Sequence, residues 1–147
     1  MILVSACLLG VNCKYSGKNN FNIEVNKYLE DKEFVPICPE QLGGLATPRL
    51  PAEIKKNESY LQGERRVFDC EGNDVTDKFI KGAKETLSIA KLCKCTQAIL
   101  KDGSPSCGYR EIYDGTFSGR KIKGIGVTTA LLKQNNIQIL QEFDIIK

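Results

Sequence analysis

The 147-residue chain contains no histidine. It therefore lacks the side chain that most often moves protons near neutral pH, and any metal site must rest on thiolates and carboxylates. There is no CxxC pair, which removes the short-spaced signature of many zinc and iron–sulfur sites. No apolar run is long enough to span a membrane. The apolar opening MILVSACLLG lacks a basic n-region and holds small turn residues, so it predicts a buried strand rather than an export leader. Charge of neither sign dominates, the net being +3. That is too mild for a nucleic-acid polymer as partner, and it leaves a small neutral or anionic ligand. Repeats, linkers and low-complexity tracts are missing too. With 41% hydrophobic and 27% charged residues, the chain has the composition and length of one domain with an ordinary core.

What the chain has in excess is cysteine, seven in all. Their spacings are not paired, and the chain is lysine-rich without an export signal. We therefore expect reduced thiols and a cytoplasmic protein, not a disulfide scaffold. Three cysteines stand out by position. Cys7 ends MILVSAC, Cys38 ends EFVPIC, and Cys107 lies in SPSCG just after AILKD. Each follows an apolar run at the point where a loop begins, which is where α/β proteins place their chemistry. Ordinary buried thiols would also account for them, because free cysteine is among the most buried residue types.

The pattern predicts an α/β fold, a single domain over residues 1–147 with a mostly parallel sheet flanked by helices, plus one or two short hairpins. Strands are predicted at 2–6, 34–37, 96–100 and 137–140. Phe21, Val25, Tyr28 and Leu29 have helical spacing. Val75, Phe79, Ala83, Leu87 and Ala90 make an apolar stripe for a longer helix, with Asp74 as N-cap and an end near Cys93. A last helix starts over 126–132. Hairpins are expected over 59–74, punctuated by Gly63 and Gly72, and over 112–122, with turns at Asp114-Gly115 and Ser118-Gly119. Residues 38–54, CPEQLGGLATPRLPAEI, hold three of the five prolines and two adjacent glycines. They predict an ordered loop without regular elements, and long loops of that kind are usually functional.

Thiolates supplied from three loops suit an iron–sulfur cluster. Pro39 and Pro105 stiffen two of the loops, while Gly43, Gly44 and Gly108 allow close backbone approach. Cys13 is a fourth candidate, as closing ligand, nucleophile or neither. Cys93 and Cys95 form a CxC pair at a helix end, where one packs in the core and the other caps the helix. With Cys70 they would make a zinc site only if a fourth ligand existed. Glu40, two residues past Cys38, is placed to activate water beside a metal. Ser104 and Ser106 suit hydrogen bonds to a ligand, and Arg49 suits a clamp on a carbonyl or phosphate. Turn chemistry and an ion pair are the bland readings of those three. GIGV, residues 124–127, resembles half of a phosphate-binding turn.

Taken together, SACLLG at 5–10, KYSG at 14–17, CPEQLGGLATPR at 38–49, LKDGSPSCG at 100–108, YDGTFSG at 113–119 and GIGVTTALL at 124–132 resemble the thiouracil desulfidase (TudS) family almost end to end. The resemblance implies a 4Fe-4S cluster held by three cysteines, at Cys7, Cys38 and Cys107, with Cys13 outside the ligand set. It implies Glu40 as proton-transfer group and Ser104 near the substrate, and the chemistry of Ser106 and Arg49 makes them the further expected substrate contacts. One local departure is Ser16, where relatives often carry Asp. The implied reaction is a non-redox, hydrolytic removal of sulfur from a thiolated pyrimidine, thiouracil or its nucleoside or nucleotide. The products are the carbonyl compound and hydrosulfide. No membrane partner is expected, and the oligomeric state is left open. Two other readings stand beside this one: a cluster- or zinc-binding sensor without turnover, which closure by Cys13 would favour, and a metal-free thiol enzyme.

Overall fold

The computed structural model describes residues 1–55 and 66–145. In chain order its elements are β1 (Ile2–Ser5), α1 (Ile23–Leu29), β2 (Phe34–Ile37), α2 (Pro39–Leu42), β3 (Ala52–Lys55) and β4 (Arg66–Asp69). There follow α3 (Thr76–Leu92), β5 (Gln97–Leu100), β6 (Glu111–Tyr113), β7 (Lys121–Lys123), α4 (Val127–Gln134) and β8 (Gln138–Gln141). The central sheet is four-stranded and wholly parallel, in the order β2-β1-β5-β8.

Side chains that alternate along these strands sort the helices into two layers. Leu3, Ala98, Leu100 and Ile139 pack with Ala90 of α3 and Leu132 of α4. Ile2, Val4 and Ile99 pack on the opposite face with Val25 and Leu29 of α1. Pro36 sits in β2 opposite Val4, and β2 tolerates it because it is an edge strand, where a missing N–H breaks no central ladder. Asn22 opens α1 by accepting the Val25 N–H at 3.0 Å, two residues inside the predicted start. The N-cap of α3 is Val75, one residue past the expected Asp74 and without a side-chain cap bond; the Asp74 carboxylate accepts the Thr76 N–H at 2.9 Å from the position before it. No helix among the described residues is long and apolar enough to cross a membrane.

Residues 38–54 are not the irregular loop that their prolines predict. Pro39 to Leu42 form one helical turn, with proline in the first position where its missing N–H costs nothing. Ala52 to Lys55 form a strand. The turn exists because α3 gives it a surface. A Cβ on Gly82 would lie 2.0 Å from Pro39 O, and one on Gly43 would lie 2.0 Å from Lys78 O. Two glycines thus let α2 lie directly on the backbone of α3.

β3 and β4 pair antiparallel from Ala52↔Asp69 to Lys55↔Arg66. Residues 59–65 of the hairpin expected over 59–74, with Gly63, lie outside the described residues, while Gly72 does turn the chain after β4, at φ +85°. β6 and β7 form the second hairpin, with Gly115 and Gly119 both at positive φ. Ile54, Val67, Phe79 and Ile112 join both hairpins to α3.

Candidate active site

The parallel sheet delivers three cysteines to one end. Cys7 lies in a 3-10 turn, Ala6–Leu9, directly after β1, and Cys38 is the N-cap residue of α2 directly after β2. Cys107 lies in the loop that follows β5. Because β1 is hydrogen-bonded to both β2 and β5, the three loops leave the sheet as neighbours. Cys7, Cys38 and Cys107 line one cavity of about 650 Å³ beyond the carboxyl ends of the strands, together with Cys13, Glu40, Arg49 and Ser104. That is where open α/β sheets bind ligands, and the volume is that of a small-molecule site.

The thiols feel one another and a shared carboxylate. Burial pushes the Cys107 thiol well up, the charge of Glu40 adds to this, and the Ser5 hydroxyl beside the sulfur opposes it. Burial likewise raises Cys7, against a hydrogen bond from the Asn20 side chain. Cys38 Sγ donates to Cys13 O at 3.7 Å, and the pairing of the two thiols lowers Cys38 and raises Cys13. The Cys13 side chain is buried at 2% exposure.

The Cys107 loop is gripped from three sides. Ser106 N–H and Cys107 N–H both donate to Ser104 Oγ, at 3.0 and 3.1 Å. Both acceptor positions of Ser104 are thereby filled, and its hydroxyl proton is left to donate to a ligand. Thr129 Oγ1 donates to Cys107 O at 2.8 Å. Gln141, fully buried at the end of β8, donates from Nε2 to Leu100 O at 3.0 Å and to Cys107 O at 3.4 Å. Its Oε1 accepts the Tyr109 N–H at 3.1 Å. Sequence reading missed Gln141 and Thr129, and the only trace of Gln141 is a polar residue closing an apolar strand.

Two expectations move. Ser106 is not on the cavity wall; it is fully buried and its hydroxyl pairs with Thr128 Oγ1 at 2.8 Å. It braces the loop against α4 instead of reaching into the cavity. GIGV is no phosphate turn either, because the amides that open α4 are already used. Val127 N–H donates to Pro105 O at 2.9 Å, and Thr128 and Thr129 N–H donate to Ser106 O at 2.9 and 3.2 Å.

Glu40 stands in the single turn of α2, its Oε1 3.8 Å from Cys38 Sγ. Its charge pushes all four cavity thiols upward, although Cys38 is lowered on balance by its pairing with Cys13. Arg49 is its ion-pair partner at 3.6 Å, and both side chains are mostly buried. The same guanidinium donates to Cys13 O at 3.0 Å and to Thr47 Oγ1 at 3.0 Å. Arg49 therefore holds the cavity wall together, the ion-paired role that sequence offers as its plainer reading.

A soft, all-sulfur donor set suits iron–sulfur chemistry. Among the described residues, no three Cys, Asp or Glu side chains close around a single ion. Cys7, Cys38 and Cys107 line one roomy cavity, and three sulfur donors with no competing histidine suit a 4Fe-4S group. Outside the cavity, Cys95 is buried in the core, Cys93 ends α3 and packs against the same cluster, and Cys70 is exposed. No zinc site forms among the described residues there.

The sequence profile of the 2-thiouracil desulfurase family matches residues 2–144. The chain belongs to that family. It is 46% identical over 144 residues to the uncharacterized protein YbbK of Bacillus subtilis (strain 168), covering 97% of this chain and 95% of that protein. A solved structure of the [4Fe-4S]-dependent thiouracil desulfidase TudS matches with a TM-score of 0.85 and 39% identity, covering 97% of this chain and 91% of the other. The α/β architecture expected from the sequence is thus the desulfurase family's own.

Proposed function

We propose that residues 1–147 act as one [4Fe-4S]-dependent desulfidase domain, which removes sulfur from thiolated pyrimidines and releases the carbonyl compound and hydrosulfide. One observation carries the reading: Cys7, Cys38 and Cys107 leave three adjacent strands to line a single cavity with Glu40, in a chain of the desulfurase family. Cys7, Cys38 and Cys107 would hold the cluster. When bound, the cluster supplies a thiophilic, Lewis-acidic iron that three protein ligands leave open.

The protein's own groups do the rest. Glu40 accepts a proton from the water that adds at the thiocarbonyl carbon, and Arg49 fixes the carboxylate for that transfer. As the new carbonyl forms, the carbon–sulfur bond breaks and sulfur leaves as hydrosulfide, so no net electron transfer is needed. The free hydroxyl proton of Ser104 donates to an acceptor on the pyrimidine. Lys14, Lys78 and Lys121 also line the cavity and have no ion-pair partner among the described residues. Glu53, Asp69 and Asp102 line the same cavity, so its charge suits thiouracil, its nucleoside and its nucleotide alike. The free state of all seven cysteines suits a reducing cytoplasm. The sensor reading needs a closed site, and membership of the desulfurase family with likeness to a [4Fe-4S]-dependent desulfidase supports the enzyme reading over it.

Turnover by protein reconstituted without oxygen tests the function. The iron-loaded chain is expected to convert thiouracil, thiouridine or its monophosphate to the oxo compound with one hydrosulfide per turnover. An iron-loaded chain that desulfurises none of the three would overturn the reading.

A further inference from the structure

The motif YDGTFSG, residues 113–119, ends β6 and turns the hairpin back toward β7. Its turn is fastened to β3. Glu53, 8% exposed and itself on the cavity wall, accepts the Gly115 N–H at 3.0 Å and the Phe117 N–H at 3.2 Å. A Cβ on Gly115 would lie 2.8 Å from Ile54 O, so no other residue fits there. The hairpin also joins the Cys107 loop: Gly103, the residue before Ser104, pairs in parallel with Ile112, the residue before Tyr113. Two hairpin side chains reach the cavity, half-buried Tyr113 and its exposed cross-strand partner Lys121. Lys121 Nζ stands over the Tyr113 ring, 5.4 Å from its centre, and 3.9 Å from the point a Cβ on Gly103 would occupy. The ring face attracts the ammonium, and no Asp or Glu among the described residues pairs with it.

We infer that Tyr113 and Lys121 are specificity-determining residues for the thiolated pyrimidine: the Tyr113 ring packs against the substrate ring, and Lys121 Nζ donates a hydrogen bond to the carbonyl oxygen that the pyrimidine keeps. The inference rests on the desulfidase reading above. Ser104 fixes the order of contacts. On one side its Oγ holds the Cys107 N–H at 3.1 Å, and on the other its chain neighbour Gly103 carries the hairpin. A pyrimidine bound at Ser104 with its sulfur toward Cys107 therefore turns its far edge to Tyr113 and Lys121. In thiouracil that edge bears an oxygen, an acceptor without a proton, and an ammonium offers three donors and no acceptor. Tyrosine adds a large, stiff apolar face at little cost in side-chain freedom. Two carboxylates of the cavity are engaged elsewhere, Glu53 by the hairpin amides and Asp69 by the Asn73 N–H and side chain, which leaves Lys121 free for the substrate.

The test compares 4-thiouracil with pyrimidine-4-thione, the same ring without the oxygen, on iron-loaded wild type, Lys121→Met, Lys121→Arg, Tyr113→Phe and Tyr113→Leu. Lys121→Met is expected to lower kcat/KM for 4-thiouracil about tenfold, the worth of one partly exposed charged hydrogen bond, and to leave pyrimidine-4-thione unchanged. Lys121→Arg, which keeps a donor, and Tyr113→Phe, which keeps the ring, are expected near wild type. Tyr113→Leu should raise KM for both compounds alike at wild-type iron content. Equal losses on the two compounds in Lys121→Met, or no loss, would overturn the carbonyl contact, and a wild-type KM in Tyr113→Leu would overturn the ring contact. A wild type that desulfurises neither compound is a different result and defeats the desulfidase reading. In that case, or if pyrimidine-4-thione reacts too slowly to measure, calorimetric binding of uracil and pyrimidin-4-one to the same proteins decides. Lys121→Met that weakens uracil alone upholds the inference, and equal affinities in wild type and Lys121→Met overturn it.

Discussion

Replacing Gly82 by alanine adds one methyl group far from any reacting atom, yet it strikes the site. In an ordinary helix interior the change stabilises by about 1 kcal/mol, because alanine is the better helix former. Here the new Cβ would stand 2.0 Å from Pro39 O, 2.8 Å from Pro39 C and 3.3 Å from Gly43 N. Backbone cannot swing aside as a long side chain can, so α2 must retreat by about 1.4 Å to reach ordinary contact. Pro39 lies between Cys38 and Glu40, and both move with it. Overpacking of this kind costs roughly 1–3 kcal/mol. A misplacement of about 1 Å costs on the order of 10²-fold in rate. Gly82→Ala is therefore expected to lower Tm by several degrees, to reduce iron content after reconstitution and to cut kcat/KM about a hundredfold. Thermal melts, iron counting and turnover of a thiolated pyrimidine read the three effects. A Gly82→Ala protein with wild-type Tm, iron and kcat/KM would refute the claim that this glycine contact places Cys38 and Glu40.

Other perturbations have similarly specific outcomes. Glu40→Gln is expected to keep its iron and visible spectrum while turnover falls roughly 10²–10⁴-fold; full activity would remove Glu40 from proton transfer. Gln141→Leu removes the side-chain partner of the Leu100 carbonyl and of the Tyr109 N–H, while Cys107 O keeps Thr129 Oγ1. At roughly 1–3 kcal/mol for each buried group left unpaired, it should lower Tm clearly and weaken cluster retention, both visible in a melt of apo and loaded protein. Asp74→Ala tests a pH dependence. Hydrogen bonds from Thr76, with Arg66 nearby, hold the Asp74 carboxyl below its ordinary range. Its stabilisation is thus present above the unfolded carboxyl pKa and is lost as pH falls through the lower, folded value. The variant should be less stable by about 1 kcal/mol near neutral pH, at most, since the side chain is 37% exposed. That gap should close under strongly acidic conditions in denaturant melts at each pH, and a gap independent of pH would contradict the assignment.

The central sheet was legible because its strands are apolar runs too short to be helices, and the stripe from Val75 to Ala90 has a clear helical period. α2 was not legible, for a physical reason. Four residues carry no period, and the turn depends on Gly43 meeting Gly82, thirty-nine positions away. β3 was hidden by the prolines before it and pairs with a strand eleven residues on. In the site, Cys7, Cys38 and Cys107 were legible as thiols at strand ends, and Glu40 by its place after Cys38. Ser5, Asn20, Thr129 and Gln141 were silent, because only the order β2-β1-β5-β8 brings their neighbours to them. Ser106 was misread because a serine in a turn-rich motif looks solvent-facing, while α4 buries it against Thr128.

Iron counting with visible absorbance tests the account most directly, on anaerobically reconstituted wild type beside Cys7→Ser, Cys38→Ser and Cys107→Ser. The account predicts a broad visible band and about four irons per chain in wild type, both lost in each of the three variants. A wild type without bound iron, or a cluster that survives all three substitutions, would contradict it.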